Sequence, residues 1–173
     1  MADLQARIRD VADFPKPGVI FKDIMPLLGD AEALAEAVDE LAEWAAPRAP
    51  DLVLGAEARG YITGGALACK LGCGFVPARK PGKLPWHTVA AKYALEYGFD
   101  QLEVHADAIK QGQRVLVHDD VLATGGTAKA TAELVEQLGG TVVGMPFIIE
   151  LTFLDGRGKL ADYDVFSLIQ YEN

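Results

Sequence analysis

The sequence predicts an α/β domain with a mostly parallel central sheet flanked by helices. Apolar strand-like runs and amphipathic helical stripes alternate along the chain, the pattern of an α/β fold. No internal repeat or low-complexity linker separates them, so residues 1–173 read as one domain. With half of its 173 residues apolar, a chain of this size buries roughly 70% of the surface that its unfolded form exposes, and it needs no disulfide or structural metal to fold.

The elements follow in order. Asp30 is placed to cap a helix whose Leu34, Ala37, Val38, Leu41, Trp44 and Ala45 share one face, and Pro47 follows its end. Residues 52–55 form a short buried strand, 60–71 a helix stopped at Gly72, and 73–79 a further strand. Residues 114–119 are an apolar strand that runs abruptly into charge. After Thr127, the stripe Ala128, Thr131, Leu134, Val135 and Leu138 marks a helix closed by Gly139, and residues 141–149 and 164–169 supply two more strands.

Two stretches keep neither period. Residues 13–26 set Pro15, Pro17, Gly18 and Pro26 around the apolar Val19, Ile20 and Phe21. Residues 80–98 are broken by Pro81, Gly82, Pro85, Trp86, His87 and Thr88, and a connection of that length is uncommon unless functional or disordered. A mobile loop is expected there.

A net charge of -9 disfavours a nucleic-acid partner, because binding to a phosphate backbone depends on clustered Lys and Arg. No stretch reaches about 18 uninterrupted apolar residues, and Asp3, Arg7, Arg9 and Asp10 occupy the N-terminal stretch in place of a signal-type run. A soluble, cytoplasmic protein without a membrane partner is therefore expected. Cys69 and Cys73 have no His or further Cys nearby and read as small core residues. None of the histidines is given a chemical role: His118 reads as a strand residue satisfied by its neighbours, His87 and His105 as exposed. Glu133 and Glu136 belong to a solvated helix face.

The most informative segment is Val115-Leu116-Val117-His118-Asp119-Asp120-Val121-Leu122-Ala123-Thr124-Gly125-Gly126-Thr127. It places two adjacent carboxylates at a strand's carboxyl end, the edge where open α/β sheets bind ligands, and then a Gly-rich turn opening a helix. Gly125 and Gly126 admit a phosphate close to the backbone, the first N–H groups of the helix donate to it, and Thr124 and Thr127 add hydroxyls. The helix dipole contributes only about 0.3 to 1 kcal/mol per interaction at an exposed site, so several oriented donors must act together. Asp119 and Asp120 suit the hydroxyls of a ribose, directly or through waters of a magnesium ion.

This segment resembles the phosphoribosyl pyrophosphate motif of the type I phosphoribosyltransferases. Three others resemble the adenine-specific branch: Asp13-Phe14-Pro15-Lys16-Pro17-Gly18-Val19-Ile20-Phe21-Lys22-Asp23-Ile24, Glu57-Ala58-Arg59-Gly60-Tyr61, and Arg79-Lys80-Pro81-Gly82-Lys83-Leu84-Pro85 leading to Tyr93-Ala94-Leu95-Glu96-Tyr97-Gly98. The likeness runs in order over nearly the whole chain.

The resemblance implies the type I phosphoribosyltransferase fold, with a small N-terminal hood over about residues 1–30 and a flexible catalytic loop over about 80–98. It implies adenine and phosphoribosyl pyrophosphate as substrates, AMP and diphosphate as products, and Mg2+ as cofactor, carried by the substrate rather than held in a protein cage. The ribose 5-phosphate falls to Asp119, Asp120, Ala123, Thr124, Gly125, Gly126 and Thr127. The diphosphate falls to Glu57, Ala58, Arg59, Arg79, Lys80, Lys83 and Tyr97, with a cis peptide between Glu57 and Ala58. Three cations within five residues at 79–83 are costly in so acidic a chain unless an anion arrives.

Glu96 and Arg59 carry the catalytic roles, Glu96 at the N7 edge of adenine when the loop closes. The base is expected against Val19, Ile20, Phe21 and Lys22, where lysine departs from the commoner arginine. A homodimer is implied, with residues near 79–83 approaching the neighbouring site. Two alternatives stay open: the same fold acting on another nucleobase, or a non-catalytic phosphoribosyl pyrophosphate-binding regulator.

Overall fold

The structure is a computed structural model that describes residues 3–94 and 99–172. Two short antiparallel strands, β1 (Arg9–Ala12) and β2 (Ile20–Asp23), pair Arg9 with Asp23 and Ala12 with Ile20. The short α1 (Met25–Leu28) leads to α2 (Ala31–Ala45), whose first N–H groups, on Glu32 and Ala33, donate to the Asp30 carboxylate at 3.1 Å each. Then follow β3 (Leu52–Ala56), α3 (Gly60–Leu71) and β4 (Gly74–Ala78). An antiparallel hairpin of β5 (Thr88–Ala94) and β6 (Phe99–His105) precedes β7 (Arg114–Leu122), α4 (Gly126–Gln137), β8 (Thr141–Leu151) and β9 (Val165–Tyr171).

Five strands form one all-parallel sheet in the order β4-β3-β7-β8-β9. From β3 the chain winds outward to β4, and from β7 it winds the opposite way through β8 to β9. The switch point therefore lies between β3 and β7, where the two crossovers leave a crevice at the strands' carboxyl ends. Strand alternation sends Val53 and Leu116 to one face, packed with Leu41 of α2 and Leu67 of α3. Leu54, Val115 and Val117 point to the other face and pack with Leu134 of α4 and Leu102 and Val104 of the hairpin.

Several expectations are corrected. Residues 80–98 are not uniformly irregular, because Val89, Ala91 and Tyr93 turn inward against the core on alternate positions while Ala90 and Lys92 are exposed, which makes β5 a half-buried strand. Residues 13–26 likewise contain β2 and the start of α1. The strand bearing the acid pair continues past it, since Val121 and Leu122 pair with Ile149 and Glu150 of β8. Cys69 is exposed and Cys73 half-buried, because the buried stripe of α3 runs through Thr63, Gly64, Leu67 and Ala68. His105 is half-buried in β6 rather than exposed.

Candidate active site

The carboxyl end of β7 and the turn into α4 enclose a pocket of about 70 Å³, lined by Asp119, residues 121–128 and Phe147. Gly125 holds φ +77°, a left-handed conformation that swings the chain from strand to helix and costs glycine little. The first α4 hydrogen bond runs from the Lys129 N–H to the Gly125 carbonyl at 3.0 Å. The N–H groups of the opening turn are consequently unpaired within the helix and available to an anion. Ala123, Thr124, Gly125, Gly126 and Thr127 thus stand together as the turn chemistry requires.

The two carboxylates of the acid pair take different further partners. Asp119 lines the pocket and accepts the Asp120 N–H at 2.9 Å. Desolvation first, then the adjacent Asp120 charge, pushes its carboxyl well above the ordinary range. Asp120, with a nearly buried side chain, instead receives a hydrogen bond from Arg59 Nε. The loop after β3 and the end of β7 also meet at the backbone. A Cβ built on Gly60 would fall 2.9 Å from Asp119 Oδ1 and 3.2 Å from the His118 carbonyl oxygen, so glycine lets α3 begin against the acid pair.

The Glu57–Ala58 peptide is cis. The Glu57 carboxylate accepts the Lys80 N–H at 2.7 Å and Arg79 Nη2 at 3.2 Å, contacts that draw it below the usual carboxylate range, the Lys80 bond foremost. Lys80 Nζ pairs with Asp100, which also accepts the Tyr93 hydroxyl at 3.1 Å. Lys83 is exposed, and its carbonyl accepts from Arg79 Nη1 at 3.1 Å. The cluster at 79–83 is therefore not left awaiting an anion: Glu57 and Asp100 already compensate two of its three charges.

The N-terminal hairpin reaches the same crevice. The Phe21 ring lies 5.0 Å from the Arg59 guanidinium carbon and edge-on to Phe14 at 5.2 Å. Val19 is half-buried and Ile20 exposed. The Lys22 ammonium turns elsewhere, to Asp10 at 2.8 Å and over the Tyr171 ring at 4.0 Å. Its side chain anchors β2 to β1 and β9.

Comparison with known proteins decides the family. Residues 22–169 match the phosphoribosyl transferase domain. The chain is 57% identical to the adenine phosphoribosyltransferase of Desulfitobacterium hafniense and 56% identical to that of Thermotoga maritima, over 98% of this chain and of each relative. The chain belongs to the adenine phosphoribosyltransferase family. Its backbone superposes on the crystal structure of the adenine phosphoribosyltransferase of Thermoanaerobacter pseudethanolicus with a TM-score of 0.96, at 53% identity and covering 98% of both chains. The enzyme from Saccharomyces cerevisiae, solved with an imino-altritol bisphosphate and adenine, aligns with a TM-score of 0.92 at 38% identity, covering 96% of each chain.

Within this family member, Glu96 and Tyr97 lie outside the described residues. Sequence reading missed Phe147, which lines the pocket at the turn, and the Asp100–Tyr93 pair that holds Lys80. Phe147 sits in the apolar run 145–149, which gives no local sign of a pocket. Among the described residues no group of three or more His, Cys, Asp or Glu side chains is arranged to hold a metal ion, and no helix is long and apolar enough to cross a membrane.

Proposed function

We propose that this chain transfers the 5-phosphoribosyl group of phosphoribosyl pyrophosphate to adenine, releasing AMP and diphosphate in purine salvage. The observation that carries this reading is the meeting, at one switch point, of the phosphate turn, the acid pair, Arg59 and the Phe21 ring. The 5-phosphate sits on the N–H groups of residues 124–127, and Asp119 and Asp120 accept from the ribose hydroxyls. Arg59 turns from Asp120 to the diphosphate, joined by the Ala58 backbone and by Lys83. The adenine ring lies along residues 19–22 beside Phe21.

In the reaction the bond from the sugar C1 to the diphosphate oxygen breaks, and adenine N9 forms the new bond to C1. The diphosphate leaves with the electron pair, and Arg59, Arg79, Lys80 and Lys83 stabilise its growing charge. The imidazole proton of adenine must depart, and Glu96 holds it at the N7 edge, with Tyr97 beside the diphosphate. Exclusion of water from the site keeps it from competing for C1.

Magnesium carried by the substrate would supply further neutralisation of the leaving group, and Asp119 and Asp120 would hold it through its waters. Two adjacent carboxylates fit such an ion through its waters, since Mg2+ keeps several waters and needs no all-protein cage. The working form is a cytoplasmic homodimer, for which Trp86 and Phe99, 63% and 79% exposed, supply apolar surface near residues 79–83. Incubation with adenine, phosphoribosyl pyrophosphate and magnesium should yield AMP and diphosphate in equal amounts. Binding of the sugar diphosphate with no turnover would overturn the reading.

A further inference from the structure

The phosphate turn does not stand on its own helix alone. A 3-10 segment, Gly156–Leu160, lies directly behind it, and the two backbones touch with no side chain between them. A Cβ built on Gly156 would fall 2.1 Å from the Ala123 carbonyl oxygen and 3.0 Å from the Gly125 nitrogen. One built on Gly125 would fall 2.4 Å from the Gly156 carbonyl oxygen. The position of Gly156 therefore sets the position of the N–H groups that meet the 5-phosphate.

Gly156 is in turn held through its neighbour. Arg157 forks onto Glu150, Nε to Oε1 at 2.9 Å and Nη2 to Oε2 at 2.5 Å, while its Nη1 donates to the Val165 carbonyl at 2.9 Å. Glu150 is only 3% exposed and also accepts the Ser167 hydroxyl at 2.7 Å. It sits on β8 in register with Leu122 of β7, the residue before the turn, and with Gln170 of β9. A buried carboxylate fixed at the carboxyl end of β8 thus grips the segment that backs the turn. Arg157 holds the Glu150 carboxyl below its ordinary range, consistent with a charged, fully engaged pair.

We infer that Glu150 and Arg157 are positioning residues for the 5-phosphate pocket, acting through Gly156 to set affinity for phosphoribosyl pyrophosphate and AMP without touching either. The inference rests on the proposed reading of the turn as the 5-phosphate site. A fork is needed because one side chain must satisfy two carboxylate oxygens and a carbonyl, which a lysine, as a point donor, does not do.

The test uses the full chain carrying Arg157→Lys or Glu150→Gln, with circular dichroism to establish folding. The dissociation constant of AMP is measured by calorimetry, and KM for phosphoribosyl pyrophosphate and for adenine by steady-state kinetics. Loss of about one charge-assisted contact predicts a roughly tenfold weaker AMP and a roughly tenfold higher KM for the sugar diphosphate, with kcat and KM for adenine within about twofold. If Arg157→Lys does not fold, Glu150→Gln carries the test. Folded variants that bind AMP as the wild type does would overturn the inference, as would an equal rise in both KM values, the mark of general loosening. A wild-type chain that binds no AMP would instead remove the functional reading beneath it.

Discussion

Arg59 Nε donates a hydrogen bond to the Asp120 carboxylate, so the loop after β3 is tied to the end of β7 across the switch point of the sheet. In this arrangement Arg59, proposed to bind the diphosphate, and Asp120, proposed to bind the ribose, neutralise each other. Glu57 with Arg79 and Asp100 with Lys80 repeat the pattern. The site stores its cations in internal ion pairs, which suits a chain of net charge -9 that must nonetheless receive a polyanion.

Replacing Arg59 by lysine should therefore lower kcat/KM for phosphoribosyl pyrophosphate by roughly 10- to 100-fold, the value of about 1.5 to 3 kcal/mol for a hydrogen bond to a charged group. Steady-state kinetics at saturating adenine measure it. A change below twofold would show that Arg59 serves only as the partner of Asp120.

Gly125→Ala should damage the turn. The left-handed φ of +77° costs a non-glycine residue about 1 to 3 kcal/mol, and the new methyl group collides with the Gly156 carbonyl. Thermal unfolding should shift downward and AMP binding should weaken; a variant as stable and as tight-binding as the wild type would contradict the turn geometry.

His118 gives a pH signature. It is fully buried, Nδ1 lying 2.8 Å from the Pro146 carbonyl and Nε2 2.7 Å from the Thr63 hydroxyl, and burial pushes its pKa down to about 4. The Pro146 carbonyl can only accept, so Nδ1 carries the proton and Nε2 accepts from Thr63. With the folded pKa below the unfolded value of about 6.5, the stability linked to neutral His118 is complete above that pH and falls as pH drops toward 4, by up to about 3 kcal/mol. Comparing melting temperatures of wild type and His118→Asn between pH 7 and 4 isolates this contribution. Parallel curves would contradict it.

Glu96→Ala should reduce kcat by about 100- to 10,000-fold, the usual range for a positioned acid or base, with KM for phosphoribosyl pyrophosphate little changed. Single-turnover kinetics separate this chemical step from product release. An unchanged chemical rate would place the proton elsewhere.

Much of this was legible in the sequence, and the exceptions share physical causes. The parallel strands are apolar runs, and α2 announces itself through Asp30, which does cap it. The β5–β6 hairpin was hidden because its inward positions, Val89, Ala91 and Tyr93, contrast weakly with the small Ala90 and Ala94 between and beyond them. β2 spans four residues between a Pro-Gly pair and Pro26, too short for a period to emerge. The turn into α4 was readable because its residues are contiguous. Arg59–Asp120, Lys80–Asp100 and the backing of Gly125 by Gly156 join residues distant in sequence, and only the fold brings them together.

The most direct measurement is a competition in one vessel: wild-type protein, phosphoribosyl pyrophosphate and magnesium with equimolar adenine, hypoxanthine, guanine and uracil, and the nucleotides separated by chromatography. The account predicts AMP as the overwhelming product. A mixture led by another nucleotide would contradict the assignment of the crevice beside Phe21 to adenine.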